Sequence, residues 1–146
     1  MNNQSFSERR HQTLKLAQEL INERRQVWAM CERLDSLQPY SLDQPLEQMV
    51  REFCQGLIDY ISLEHFGIFH HLVNGKELRS TVLALAEEVF PRLVETTEVA
   101  LDFNDKFDSI STVDLPLQLA NELPILRDAL ALRVELEDRL IQGMTA

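Results

Sequence analysis

The sequence is poor in turn-forming residues and in cysteine. It contains 4 Gly, 5 Pro and 2 Cys among 146 residues. An all-β fold needs many short turns, so this scarcity argues against one. Cys31 and Cys54 are far apart, lie in apolar helical patterns and form no Cys-x-x-Cys pair. Their spacing therefore indicates neither redox nor zinc chemistry, and we expect both to be small buried hydrophobic side chains.

Long hydrophobic runs and an excess of basic residues are also missing. No stretch approaches the ~18 uncharged apolar residues that a membrane span needs. The N-terminal residues 1–12 include no apolar segment typical of a signal peptide, so we expect a cytoplasmic protein that does not bind membranes. Acidic residues outnumber basic ones by 24 to 14, for a net charge of −10. Such a surface repels phosphate backbones, which argues against direct DNA or RNA binding and favours a basic protein partner.

The negative charge is unevenly distributed along the chain. Residues 1–33 carry six basic and four acidic side chains, a balance of +2, so the remainder carries −12. Hydrophobic residues make up 45% of the sequence, which is normal for a globular domain. The acidity therefore belongs to the surface of a folded body.

What the sequence does contain is apolar residues at helical spacing in four long segments. The spacing predicts long helices over about 11–35, 46–63, 76–108 and from 116 or 121 to 142, with a short helix over 65–73. Short connections imply antiparallel neighbours. We therefore predict an all-α fold, an antiparallel up-and-down bundle of four long helices plus a short extra helix, forming one domain over 1–146.

Three finer expectations accompany this architecture. We expect residues 1 to about 10 to fray, because they are polar. Pro91 should kink or break the third long helix, since proline removes one ladder hydrogen bond. The last long helix carries two apolar stripes and should be central.

Sequence patterns for catalysis or metal binding are weak. Di-iron helical bundles use paired Glu-x-x-His motifs, and the one such spacing here joins Glu8 to His11 in the N-terminal segment. His65, His70 and His71 read as surface imidazoles. Phosphate-binding glycine loops and Gly-x-Ser-x-Gly are absent from the sequence. We therefore expect a protein that is not an enzyme and that holds no metal and no cofactor.

One face of the predicted helix over 46–63 is polar. It is opposite the apolar face and carries Glu52, Gln55, Gly56, Asp59 and Ser62. An ordinary solvated face would look the same. A glycine in the middle of a helix costs roughly 1 kcal/mol relative to alanine, however, so close approach of a neighbour at Gly56 is a second interpretation.

Arg133 and Glu137 are four residues apart and lie beside the apolar stripes of the last helix. A simple interpretation is a surface pair that contributes a few tenths of a kcal/mol. The alternative is a partly buried ion pair that lines a crevice of the bundle.

Two segments resemble the regulator of sigma D family, also called Rsd/AlgQ. The first, EFCQGLIDYISLEHFGIF over 52–69, is similar to that family's F-C-Q-x-L-V-D-Y-x-S-x-G-H-F pattern, and ALALRVELEDRLI over 129–141 is similar to a second pattern. Beyond these two segments there is a shorter match at Pro91-Arg92-Leu93 with Glu95. The chain departs from the family at Gln18–Ile21, where a Trp-containing stretch is usual, and at Glu64, where glycine is usual.

The resemblance implies an anti-sigma factor that binds the primary sigma factor and competes with core RNA polymerase and promoter DNA. Its contact with the C-terminal helix-turn-helix domain of sigma implies roles for Asp59, Ser62 and Phe66. The helical wheel adds Gln55 and Glu52 on the same stripe, and we place Arg133 and Glu137 with the candidate partner-binding residues. When free, the protein is expected to be a monomer or a weak dimer.

Two other functions remain open at the level of sequence. One is a helical adaptor that regulates a metabolic or stress-signalling protein, because it needs the same acidic bundle. The other is a helical-bundle metal or oxygen carrier, against which the lack of paired Glu-x-x-His motifs already argues.

Overall fold

A computed structural model of the chain describes residues 3–70 and 79–145. The described elements are α1 (Asn3–Asp35), α2 (Leu46–Leu63), a π-helical turn (Glu64–Phe69), α3 (Ser80–Asp108) and α4 (Leu115–Thr145). Within these ranges no strand is present. The predicted all-α helical bundle is confirmed.

Side-chain contacts show that neighbouring helices run antiparallel. Along α1 and α4, Arg10 contacts Thr145, Arg24 contacts Asp138, and Arg127 contacts Asp35. Along α3 and α4, Arg139 pairs with Glu88 and Lys106 pairs with Glu122. In both helix pairs the residue numbers rise on one helix as they fall on the other.

The core lies between the apolar faces of all four helices. Phe53 of α2 packs edge to face on Phe103 of α3, with ring centroids 5.8 Å apart, and Phe107 stacks on Phe103 at 4.4 Å. Such pairs stabilise beyond the area they bury. The last helix, α4, packs against α1, α2 and α3, and α2 likewise packs against α1, α3 and α4, so α4 shares with α2 the central position that we predicted for it alone.

Several helix boundaries differ from those predicted. Helix α1 begins at Asn3, well before residue 11, and so includes residues 3–10 of the segment that we expected to fray; residues 1 and 2 lie outside the described residues. Helix α4 begins at Leu115, next to the earlier of the two predicted starts. The predicted start of α3 at Lys76 and the end of the short helix at Val73 lie outside the described residues.

Pro91 does not break α3, which is continuous from Ser80 to Asp108. Proline frees the carbonyl of residue 87 from the helix ladder. Both Pro91 and Glu87 are exposed, so water is available to donate a hydrogen bond in place of the missing N–H. The predicted break at Pro91 is therefore wrong, and the alternative of a kink stays a prediction.

The residues that follow α2 form a π-helical turn over Glu64–Phe69, and the part of the predicted short helix beyond His70 lies outside the described residues. Leu63 and Glu64 keep right-handed helical dihedral angles, so α2 runs directly into the turn. Single π-helical turns are rare and occur frequently at functional sites. The turn begins at Glu64. This is the position at which the family pattern usually has glycine.

Candidate functional site

Helix α2 displays a row of polar side chains to solvent. Glu52, Gln55 and Asp59 are exposed. The amide of Gln55 donates a hydrogen bond of 3.0 Å to Asp59 Oδ1, and Gln48 donates one of 3.2 Å to Glu52 Oε1. Residues four apart share one face of a helix. We call Glu52, Gln55 and Asp59 the acidic row; its two carboxylates are held in place by neighbouring amides.

Gly56 and Ser62, the other two members of the predicted stripe, are less exposed than the acidic row. Gly56 faces α1, where an added Cβ would lie 3.5 Å from Met30 Sδ and 3.9 Å from Val27 Cγ2. These are ordinary contact distances, so the neighbour at Gly56 is α1 but it does not approach closely enough to require glycine. Ser62 is half-buried at the end of α2.

The third residue implied by the resemblance, Phe66, belongs to the π-helical turn. Its side chain lies outside the described part of the structure, so its role stays a prediction. His65 and His70 are exposed, as expected of surface imidazoles, and His71 lies outside the described residues.

Arg133 and Glu137 are enclosed in the bundle. Each residue is 1% exposed, and Arg133 Nε lies 3.3 Å from Glu137 Oε2. The interpretation as a buried ion pair is confirmed over the surface pair, and burial is complete where we predicted it to be partial. Because neither side chain reaches the surface, the pair can support a partner-binding surface from inside but does not lie on it.

The guanidinium of Arg133 joins three elements. It donates hydrogen bonds to Glu64 Oε2 in the π-helical turn at 2.5 Å, and to Thr96 Oγ1 and Thr97 Oγ1 of α3 at 3.0 and 2.7 Å. It also donates to the carbonyl oxygen of Leu93 at 3.3 Å. Arg133 thereby ties α4 to α3 and to the turn after α2.

Glu137 extends the same cluster to α2 and α1. The hydroxyl of Tyr60 donates to Glu137 Oε2, and the ring of Tyr60 lies 5.4 Å from the Arg133 guanidinium carbon, within cation–π range. Arg24 of α1 reaches Glu137 Oε1 at 3.4 Å and Asp138 Oδ1 at 2.6 Å. We call Arg24, Tyr60, Glu64, Arg133 and Glu137 the buried network.

The electrostatics of the buried network follow from its enclosure. Burial, and then the neighbouring Glu64, raise the pKa of Glu137 well above its ordinary value against the opposing effect of Arg133. Burial and Glu137 likewise raise the pKa of the Tyr60 hydroxyl, so Tyr60 remains a donor at neutral pH. Burial alone would lower the pKa of Arg133, but Glu64, Tyr60 and Glu137 raise it, so the guanidinium stays charged.

Sequence reasoning missed most of the buried network. It treated Glu64 as a departure from a family pattern, whereas the residue is 0% exposed and is a main partner of Arg133. A signal was present, since Glu64 follows core-facing Leu57 by seven residues and Tyr60 by four, which places it on the same helical face. Thr96 and Thr97 carried no comparable signal.

In the described part of the chain, burial and spacing set the surroundings of the cysteines and of the residue types that bind metals. Burial raises the pKa of the Cys31 and Cys54 thiols to about 11, so both stay protonated at neutral pH and react slowly. Cys31 is buried and Cys54 half-buried. Residues 3–70 and 79–145 bring together no three His, Cys, Asp or Glu side chains that could hold a metal ion. Nor is any helix in those ranges long and apolar enough to cross a membrane.

Together these features define an acidic helical bundle, tied internally by buried charges and displaying a fixed acidic row on α2. The chain belongs to the Rsd/AlgQ family: the family model described as "Regulator of RNA polymerase sigma(70) subunit, Rsd/AlgQ" matches residues 1–145. The family predicted from the two sequence segments is therefore confirmed.

Individual relatives carry the name "Regulator of sigma D". One from Enterobacter sp. (strain 638) is 30% identical over 141 residues, which cover 94% of this chain and 85% of the relative. Another from Yersinia enterocolitica is 33% identical over 98 residues, 66% of this chain. A third, from Shigella dysenteriae, is 34% identical over 98 residues. In the latter two the match spans about three fifths of the relative's length. No solved structure shows significant similarity.

Proposed function

We propose that this protein is an anti-sigma factor that binds the primary sigma factor of RNA polymerase, acts by stoichiometric binding and has no catalytic activity. The proposed contact is chiefly with the C-terminal helix-turn-helix domain of sigma, which reads promoter DNA. Occupation of that domain would block its association with core polymerase and with the promoter. Membership of the Rsd/AlgQ family over residues 1–145 supports the sigma factor as the target.

The acidic row is the observation that carries the choice of surface. A helix-turn-helix domain binds DNA phosphates through basic side chains. The carboxylates of Glu52 and Asp59 are exposed on one face of α2 and are oriented by Gln48 and Gln55. Opposite charges across an interface speed encounter and fix its register. A protein surface that pairs with those basic side chains prevents them from binding DNA.

Replacement of Asp59 tests this assignment. Asp59→Ala should weaken binding to the sigma C-terminal domain by about 1 to 3 kcal/mol, because it removes one partner of a charged contact. The side chain is exposed, so the bundle should stay folded. Isothermal titration calorimetry against the isolated domain measures the change.

A matched control is Asp128→Ala, which removes an exposed aspartate from α4. It should leave the affinity within about 0.5 kcal/mol of the unmodified protein, as is usual for surface substitutions outside an interface. If the Asp59→Ala protein and the unmodified protein bound the domain with equal affinity, the assignment of the acidic row to the interface would be wrong.

A further inference from the structure

A groove runs beside the N-terminal part of α2. Two cavities, of about 350 and 420 Å³, open between this helix and the connections that follow α1 and α3. Both cavities are lined by Glu47, Arg51, Thr112 and Leu115, so they are two halves of one feature. From Pro45 to Ile58 the groove follows α2 for roughly 20 Å, at 1.5 Å per residue.

Apolar side chains stand among the polar ones that line each half. The half of the groove nearer Ile58 is lined by Val50, Ile58 and Phe107. The half nearer Pro45 is lined by Leu42 and Leu46. Leu42 is 61% exposed. Apolar surface of this kind, rimmed by polar residues, is typical of places where another molecule packs.

The lining of the groove carries two acidic residues and one basic residue, and it joins the acidic row. Glu47 and Asp108 line it, and its one base, Arg51, is paired with Glu47 at 3.0 Å. Gln55 both lines the groove and donates to Asp59. The groove and the acidic row therefore form a continuous surface on one side of α2.

We propose that this groove receives a basic amphipathic helix of the partner, whose apolar side chains enter the two cavities while its bases face Glu47, Asp108 and the acidic row. The inference rests on the proposed function and specifies how the sigma C-terminal domain docks. In this mode a helix lays its apolar face into a groove and anchors through residues at i, i+3, i+4 and i+7. Seven residues of helix rise about 10 Å, which lets two anchors enter the two halves.

The fold favours a helix over an extended peptide as the occupant. Peptides that bind in extended form usually add a strand to an exposed sheet edge. The described ranges contain only helices and their connections, so they offer no such edge. The groove lining and the acidic row together carry more acidic than basic side chains, so a basic helix is the complementary partner.

Filling the groove tests the proposal. Thr112 is exposed and lines both cavities, so Thr112→Trp places an indole in the path of the partner helix. The adjacent Val113 is 74% exposed and lines neither cavity, which makes Val113→Trp the matched control. Binding of the sigma C-terminal domain to each full-length variant is measured by calorimetry, alongside Asp59→Ala.

The proposal predicts that Thr112→Trp raises Kd at least about tenfold, as expected of an obstruction in a well-packed interface, whereas Val113→Trp changes it less than about twofold. If Asp59→Ala weakens binding but Thr112→Trp binds like the unmodified protein, the groove is overturned and the proposed function stands. If the unmodified protein does not bind the domain, both fail.

A second pair of variants decides the question should Thr112→Trp lower the helical circular dichroism. Leu42→Ser removes an exposed apolar side chain from the groove, and Leu117→Ser removes one that is 69% exposed and lines neither cavity. The proposal predicts a severalfold rise in Kd for the first and no change for the second. Equal Kd values for the two would contradict it.

Discussion

Arg133 occupies an interior position that a charged side chain can hold only with several partners. Five N–H groups of a guanidinium need acceptors when water is excluded. Glu64, Thr96, Thr97 and the carbonyl of Leu93 accept from it, and Glu137 lies beside it. Those acceptors come from the π-helical turn, α3 and α4, so one residue fixes how three elements meet.

Removal of Arg133 should therefore destabilise the fold strongly. In Arg133→Met the carboxyl group of Glu64 stays buried without its cation, and Glu137 keeps only Arg24 at 3.4 Å; loss of one partner of a buried ion pair costs about 3 to 5 kcal/mol. Chemical denaturation followed by circular dichroism gives the free energy of unfolding. Arg139→Met is the control, because Arg139 pairs with Glu88 at the surface, at 3.1 Å, and such pairs contribute about 0 to 1 kcal/mol. Similar losses in the two variants would contradict the role of the buried network.

At the scale of single residues, sequence reasoning worked where periodicity decided the environment. It predicted the burial of Cys31 and, as one of two alternatives, the buried pair of Arg133 and Glu137. It did not connect Glu64 to that pair, because their partnership joins elements 69 positions apart in sequence. Pairing across elements depends on how helices pack, which no local spacing encodes.

At the scale of elements, helix α2 has one face that packs into the core and another that is exposed to solvent. One side packs Phe53, Leu57 and Tyr60 into the core, and another presents the acidic row. Gly56 lies between them and faces α1. The helix then continues into the π-helical turn, where Glu64 is held by Arg133. The element that offers the proposed interface is thus anchored internally at its C-terminal end.

Gly56 offers a test of how closely α1 and α2 pack. Gly56→Ala should raise the free energy of unfolding by about 0.5 to 1 kcal/mol, because alanine favours the helix and the new Cβ would make ordinary contacts at 3.5 and 3.9 Å. Gly143→Ala is the comparison: its Cβ would lie 2.9 Å from Leu85 Cδ2, so repulsion should offset the gain. A loss of stability on Gly56→Ala, measured by denaturant unfolding, would show a tighter contact than the structure describes.

The elements themselves were largely predictable from sequence, but their ends and local form were not. The 3.6-residue period gave four long helices, and the connections rich in proline, serine and aspartate separated them. Pro91 was misleading, since α3 passes through it without a break. The π-helical turn was also missed, because its apolar pattern matches that of a short α-helix.

At the scale of the whole molecule, the net charge of −10 is concentrated on particular parts of the surface. Residues 1–33 are slightly basic, and the acids concentrate in the later helices. Exposed acids include Glu52 and Asp59 on α2 and Glu95, Glu98 and Asp105 on α3. A surface of this sign attracts a basic domain over distances limited by the Debye length, about 8 Å at physiological ionic strength.

The family could be predicted from two short segments, because their residue types recur at fixed positions. The location of the candidate surface could be predicted only in part. The helical wheel identified the acidic row, but the groove depends on how the connections after α1 and α3 approach α2. Sequence periodicity contains no information about that approach.

We propose that an acidic surface of this bundle captures the basic C-terminal domain of the primary sigma factor. Stopped-flow association of the two proteins at increasing salt measures how far charge drives that capture. We expect a one-to-one complex whose association rate falls about tenfold or more between roughly 0.05 and 0.5 M NaCl, as screening weakens electrostatic steering, with a much smaller change in the dissociation rate. Absence of a complex, or an association rate that does not depend on salt, would contradict it.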